Sequence, residues 1–130
     1  MAWDLFAHST VIEDSEALNN IDEILLVKGV DIVGLARGDF SLSIGHPSQL
    51  NHPIVEDAVT KVIDHAKKAG VVPMVQFWAI GSKTKQYIDA GARVISLGKD
   101  LVVQRKISTY SAKSAPRQSI KRSNYLSRQI

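Results

Sequence analysis

The sequence predicts an α/β protein with parallel strands joined by helical crossovers, and three observations predict it. Short apolar runs of strand length alternate with longer segments whose apolar residues recur at helical spacing. Glycine or proline punctuates the segments. The alternation is strict, four strands with three intervening helices, which requires parallel strands with a helix in each connection. Two architectures satisfy this pattern, a small open sheet and part of a (β/α)8 barrel, and the pattern alone does not choose between them. A whole barrel typically takes ~250 residues, so a chain of 130 residues supplies about half of one.

Leu5 to Ile12 forms the first strand, interrupted by His8, Ser9 and Thr10 and ending at Glu13 and Asp14. Asp14 or Ser15 caps the next helix. Its apolar residues are Ala17, Leu18, Ile21, Ile24, Leu25 and Leu26, and Gly29 stops it where a left-handed cap belongs. Val30 to Ala36 is the second strand; apolar after Asp31, it has the composition of a strand covered on both faces. An Arg-Gly-Asp turn and a loop rich in Ser, Gly, His and Pro run on to Pro47. The second helix opens at Asn51-His-Pro53, with Pro53 near its first position. Val55, Ala58, Val59, Val62, Ile63 and Ala66 form its buried stripe, and Gly70 ends it. Val71 to Trp78 is the third strand, Gly81-Ser82 a turn, Ser82 to Ala90 a short helix closed by Gly91, and Ala92 to Leu97 the last strand.

Composition narrows the function classes. An apolar fraction of 45% and a charged fraction of 22% are those of a globular protein. No apolar run approaches the ~20 residues of a membrane span, the N-terminus lacks a basic leader, and no membrane partner is expected. The absence of cysteine rules out disulfides, thiolate metal sites and thiol nucleophiles, and a cytoplasmic location is expected. The net charge of +3 is uneven: residues 1–103 carry nine Lys/Arg against thirteen Asp/Glu, whereas residues 104–130 carry seven and no acid. The basic character therefore belongs to a tail, expected to be helical or poorly ordered. With few aromatic residues and no recognition motif, that tail is not expected to bind nucleic acid.

The chemistry-bearing residues lie at strand ends. Glu13 closes the first strand, Asp39 follows the second, and the segment between them is helical. Neighbouring strands lie ~4.8 Å apart, so two such ends can aim carboxylates at one point. Close carboxylates repel unless a proton or cation sits between them, and a hard divalent cation is the simplest occupant. Each acid also has an ordinary explanation: Glu13 favours the dipole of the helix it precedes, and Asp39 suits a turn. His46, beside Pro47, reads as structural, His52 as part of a helix cap, and His65 as lying on a solvated helix face. No two histidines have a His-x-x-x-His spacing, which argues against zinc, and no P-loop, dinucleotide fingerprint or nucleophile elbow occurs.

Three segments together resemble the HpcH/HpaI-type class II pyruvate aldolases, of the phosphoenolpyruvate/pyruvate barrel superfamily. Val11-Ile-Glu-Asp-Ser-Glu-Ala-Leu-Asn-Asn-Ile-Asp-Glu-Ile24 is similar to the family's Ile-Glu-Thr-x-Glu-Ala-x-x-Asn-x-Asp-Glu-Ile. Val30 to Pro47, with Gly-Asp-Phe-Ser-Leu-Ser-Ile-Gly-His-Pro, is similar to its Gly-Pro-x-Asp-Leu-Ser-x-x-x-Gly-His-Pro segment. Val94-Ile-Ser-Leu-Gly-Lys-Asp-Leu101 resembles its terminal Val-x-Val-Gly-x-Asp-Leu.

The resemblance covers about residues 10–103 and implies a partial (β/α)8 barrel, strands five to eight, as a unit over residues 1–103 with 104–130 as the tail. It implies a metal-dependent carbon–carbon lyase that cleaves 4-hydroxy-2-oxo acids to pyruvate and an aldehyde, with a citramalyl- or malyl-CoA-type lyase as a variant. The implied metal, magnesium, manganese or cobalt, falls to Glu13 and Asp39. The backbone N–H of Gly38 falls to the substrate carboxylate, and Ser41 and Trp78 to the pocket around it. The family's Gly-Pro is Ala36-Arg37 here, and Arg37 has no counterpart role in the family.

The family's substrate-carboxylate arginine and its base-linked histidine precede the region matched, so no catalytic base is assigned to this chain. It is expected to be inactive alone, and the intact protein to be a homo-oligomer. The alternative is a non-catalytic half-barrel, a remnant or pseudoenzyme that serves only as an association module.

Overall fold

Four short apolar strands, β1 (Ser9–Ile12), β2 (Ile32–Leu35), β3 (Val72–Phe77) and β4 (Val94–Leu97), form one parallel sheet in the order β1-β2-β3-β4. The computed structural model describes residues 6–77 and 82–97, with positions 100 and 104. Trp78 and nearly all of the basic tail, on which expectations were placed, lie outside the described residues. The chain divides into two units, Met1–Gly98 and Lys99–Ile130, and the sheet belongs wholly to the first. Each crossover adds its strand on the same side of the last. A barrel is built this way, whereas doubly wound open sheets reverse direction at a switch point.

Five helices are described rather than the three expected: α1 (Ser15–Asn19), α2 (Ile21–Leu25), α3 (Arg37–Ser43), α4 (Pro53–Ala69) and α5 (Ser82–Ala90). Asp14 caps α1, accepting from the Ala17 N–H at 2.7 Å. The helix predicted over the next dozen residues breaks at Asn20, whose backbone (φ −97°, ψ 16°) leaves the helical region; asparagine competes for local hydrogen bonds and is a weak helix former. The Arg-Gly-Asp turn is the first turn of α3, a helix anchored by the buried Phe40.

The longest helix, α4, follows its sequence signals closely. Pro53 occupies its first turn, and the His52 ring accepts from the Ile54 N–H at 3.3 Å. Gly70 ends it at φ +74°, a left-handed conformation that a Cβ would strain. Val55, Ala58, Val59, Val62, Ile63 and Ala66 are all buried, so α4 packs on β2 and β3 with α2, α3 and α5 beside it. His65, expected on a solvated face, is instead partly covered and bonds to Asp22 of α2 through Nδ1 at 2.5 Å.

Side chains of paired residues in a parallel sheet share a face. Ile12, Val33, Leu35 and Val75 lie on one face by register and alternation, and all are core residues under the helices. The opposite face carries Val11, Ile32, Val72, Met74 and Val94. These are half-covered, and Val72 remains 37% exposed. The expectation of two covered faces is therefore met on one only, since the described helices all follow the same hand of crossover. Gly34 stands on the open face, where an added Cβ would come within 2.9 Å of Met74 Cε and 3.1 Å of its carbonyl oxygen. No helix among the described residues is long and apolar enough to cross a membrane.

Candidate functional site

The pairing of β1 with β2 brings two chemistry-bearing segments to the same end of the sheet. Ile12 is in register with Leu35, and the Ala36 N–H donates to the Ile12 carbonyl at 2.9 Å, so the ladder runs to the last residue of β1. Glu13 follows immediately and is exposed. On the neighbouring strand Ala36 caps α3, and Gly38 and Asp39 occupy the first turn of that helix, both exposed. The C-terminal ends of parallel strands are where α/β proteins carry their sites. At a helix start, the positive end of the macrodipole favours the Asp39 carboxylate.

Beneath that exposed turn the structure is closed. Phe40 is buried in the core, and its N–H donates to the Ala36 carbonyl at 2.9 Å. Ser41 has no exposed surface, and its hydroxyl donates to the Gly38 carbonyl at 2.8 Å. Ser41 thus braces the Gly38 turn from below, with its hydroxyl directed to the backbone. The loop after α3 returns to it, since the His46 N–H donates to the Ser41 carbonyl at 2.8 Å. The His46 ring stacks on His52, centroids 4.0 Å apart, which ties this loop to the start of α4.

The donor set suits a hard cation. Glu13 and Asp39 have no hydrogen-bond or ion-pair partner among the described residues, whereas Asp14, Asp22 and Asp31 bond to Ala17, His65 and His8. No group of three or more His, Cys, Asp or Glu stands together among the described residues. Magnesium-like ions are commonly held by one or two carboxylates, with water and substrate oxygens completing the shell. Two exposed carboxylates, one directly after β1 and one in the first turn of the helix after β2, fit that description.

Next to the exposed turn is a buried cluster that the sequence did not reveal. Arg37, first residue of α3 and 8% exposed, donates to both oxygens of Glu56 at 3.2 and 3.4 Å. It also donates to the Leu50 carbonyl at 3.2 Å and to the Tyr87 hydroxyl at 2.6 Å. Its guanidinium lies over the Tyr87 ring, 5.2 Å from the centroid. The Tyr87 hydroxyl in turn donates to Glu56, and Lys83 reaches the same carboxylate at 2.8 Å.

Burial pushes the Glu56 carboxyl upward, but hydrogen bonds from Lys83 and Tyr87 and the nearby Arg37 outweigh it and hold the group below its ordinary value. Burial and the bond to Glu56 push the Tyr87 hydroxyl up. The available signals were faint: a charged residue directly after a buried strand, and a tyrosine three residues after Thr84 on the buried side of α5.

Comparison with known proteins yields consistent matches. The model of the HpcH/HpaI aldolase/citrate lyase family matches residues 9–106. A 4-hydroxy-2-oxo-heptane-1,7-dioate aldolase of Klebsiella pneumoniae is 36% identical over 89 residues, which are 68% of this chain and 33% of that protein. A 5-keto-4-deoxy-D-glucarate aldolase of Shigella boydii is 28% identical over 98 residues, 72% of this chain and 36% of its own length. The crystal structure of an HpcH/HpaI aldolase from Desulfitobacterium hafniense superposes with a TM-score of 0.75 at 28% identity, covering 84% of this chain and 43% of that one. The chain therefore spans 33 to 43% of the length of these relatives, and its fold is that of a partial barrel.

Proposed function

Because this chain belongs to the HpcH/HpaI aldolase/citrate lyase family, we propose that it forms the metal-binding part of a carbon–carbon lyase, one that cleaves 4-hydroxy-2-oxo acids to pyruvate and an aldehyde. The observation that carries this is the placement of Glu13 directly after β1 and of Gly38-Asp39 in the first turn of the helix that follows β2, its paired neighbour, within the region matched by the family. Glu13 and Asp39 would hold a divalent cation, magnesium, manganese or cobalt. Bound there, such an ion acts as a Lewis acid toward the 2-oxo acid and lowers the cost of the charge that develops on its carbonyl oxygen.

The chain's own residues bind and orient. The Gly38 N–H, in an exposed first turn with no side chain above it, donates to the substrate carboxylate. Ser41 keeps that N–H in place through its bond to the Gly38 carbonyl. No residue of this chain is given the proton transfer. The whole protein would be a cytoplasmic homo-oligomer.

Calorimetric titration with manganese, with and without pyruvate, tests this on the wild type, Glu13→Ala and Asp39→Ala. Binding that is strengthened by pyruvate and lost in both variants is the expected result. Binding that survives in both variants would remove the site. The second reading, a half-barrel that serves only for association, draws on the half-covered apolar face of Val11, Ile32, Val72, Met74 and Val94. Mixing with a separately produced first half of a related aldolase distinguishes the two: lyase activity on a 4-hydroxy-2-oxo acid supports the enzyme, and a stable inactive complex supports the association module.

A further inference from the structure

The Arg37 cluster has an arrangement that stability alone does not call for. A buried ion pair is often no better for stability than well-packed apolar residues of the same volume. What such a pair does supply is direction, because a guanidinium fork accepts few geometries. Among the described residues, three segments supply its partners: the Leu50 carbonyl at the end of the loop after α3, Glu56 in the first turn of α4, and Tyr87 in α5. Tyr87 closes the ring by donating to Glu56, and its aromatic face lies under the guanidinium.

The residue held this way adjoins the candidate site. Arg37 immediately precedes Gly38, and its backbone begins the helix that carries Asp39. Within α3, Phe40 is anchored in the core, while the Ser41 bond to the Gly38 carbonyl lies inside the helix, so it braces the first turn locally without tying it to another element. α3 is only seven residues long, too short to be stable by itself. Its first turn is joined to β2 through Ala36, whose N–H bonds to the Ile12 carbonyl, and to α4 and α5 through the Arg37 side chain.

We propose that Arg37, Glu56 and Tyr87 are positioning residues: they set the Gly38 amide and the Asp39 carboxylate against the ends of β1 and β2, and so govern affinity for the divalent cation and its 2-oxo acid. The part of this that concerns the cation rests on the function proposed above; the part that concerns the α3 turn does not. Lys83 reaches Glu56 from a half-exposed position and places a second cation on the same carboxylate.

The test uses two readouts on the full 130-residue chain: manganese titration with and without pyruvate, and amide hydrogen exchange at Phe40, Ser41 and Leu42. The variants are Tyr87→Phe, Arg37→Lys and Asp39→Asn, with Lys85→Ala, which breaks only the exposed pair with Asp89, as control. Tyr87→Phe keeps the ring and removes one hydroxyl; Arg37→Lys keeps the charge and removes the fork. Both are expected to weaken manganese binding about tenfold, the lower end for loss of a residue that orients a metal ligand. Both should also speed exchange in α3 while leaving the interior of α4 unchanged. A purely structural role would lower the melting temperature without either change at temperatures well below it.

Exchange and affinity both equal to wild type in a folded Tyr87→Phe protein would overturn the proposal, and this mild variant decides the matter should Arg37→Lys fail to fold. Manganese binding retained in Asp39→Asn would sink the proposed site, and with it the cation part; the exchange data would then decide the positioning of α3 separately.

Discussion

Replacing Glu56 by glutamine removes one negative charge from among three donors and changes almost no volume. In the wild type the carboxylate accepts from Arg37 at 3.2 and 3.4 Å, from Lys83 at 2.8 Å and from the Tyr87 hydroxyl. The Lys83 side chain is half exposed, so its share stays within about 1 kcal/mol. Arg37 is different, being buried and permanently charged. Breaking a buried pair by removing one partner costs about 3–5 kcal/mol, and Arg37 keeps the Leu50 carbonyl and the Tyr87 hydroxyl. Glutamine keeps one acceptor and the Glu56 side chain is 24% exposed, which places the expected loss near the lower end, about 3 kcal/mol. For a domain of this size that is a fall of roughly 10 °C in melting temperature.

The pH dependence of that difference identifies its origin. The folded Glu56 carboxyl lies below its ordinary value of 4.5, so the unfolded chain binds the proton first as pH falls. Stability from the ionised group is therefore fully present above pH 4.5 and lost as pH drops through the folded value. Glutamine does not titrate. The gap between wild type and Glu56→Gln should be constant above that pH and close below it. Urea unfolding followed by far-UV circular dichroism, repeated from neutral pH down to about pH 3, measures the gap. A loss below about 1 kcal/mol at neutral pH, or a gap that persists unchanged in acid, would refute the reasoning, because either means that the carboxylate's charge does not hold Arg37.

Tyr87 gives the opposite limb: raised above 10.0 by burial and Glu56, it keeps its proton in the fold after the unfolded chain has released it. Stability should decline as pH rises from about 10 through the folded value, and Tyr87→Phe should lack that component of the decline in alkaline urea titrations. Ile63→Ala empties a fully buried position on α4 and should cost about 2–5 kcal/mol by the same unfolding assay; a cost under about 1 kcal/mol would mean that α4 is not docked on the sheet. Gly34→Ala drives a Cβ against Met74 and should cost about 1–3 kcal/mol. Met74→Ala should relieve part of it in a double-mutant cycle, so strict additivity would show that the two residues do not touch.

Legibility from sequence varied with the range of the interactions. α4 could be read almost whole, because Pro53, the six-residue apolar stripe and Gly70 are local signals that packing reinforced. The strands were found, with ends shifted by one or two residues except at the start of β1, expected from Leu5 and observed from Ser9, since frayed termini leave little imprint on composition. α3 was missed because Gly38, Asp39 and the serines are turn residues by intrinsic preference; only the burial of Phe40 makes that stretch a helix. The partner of His65 lies 43 residues away in Asp22, beyond any periodicity. In the candidate site, Glu13 could be singled out because it directly follows an apolar run, and Asp39 because it ends the Arg-Gly-Asp turn at which the next such run stops. The Arg37 cluster could not, since its members are 19, 31 and 50 residues apart and meet only once α4 and α5 have docked.

Those separations also order events as the chain is made. β1, β2 and the hydrophobic half of α3 can associate as soon as α4 exists to cover them, because Phe40 and the α4 stripe belong to one core. The first turn of α3 cannot finish then. Arg37 must wait for Tyr87, 50 residues further on, and closing so distant a contact is among the slower steps of folding. During synthesis from the N-terminus, Gly38 and Asp39 therefore spend an interval attached to a formed sheet but without their final orientation. On the proposed function, a nascent chain would grip its cation only after α5 is complete, and cation binding would report on the formation of the crossover between β3 and β4.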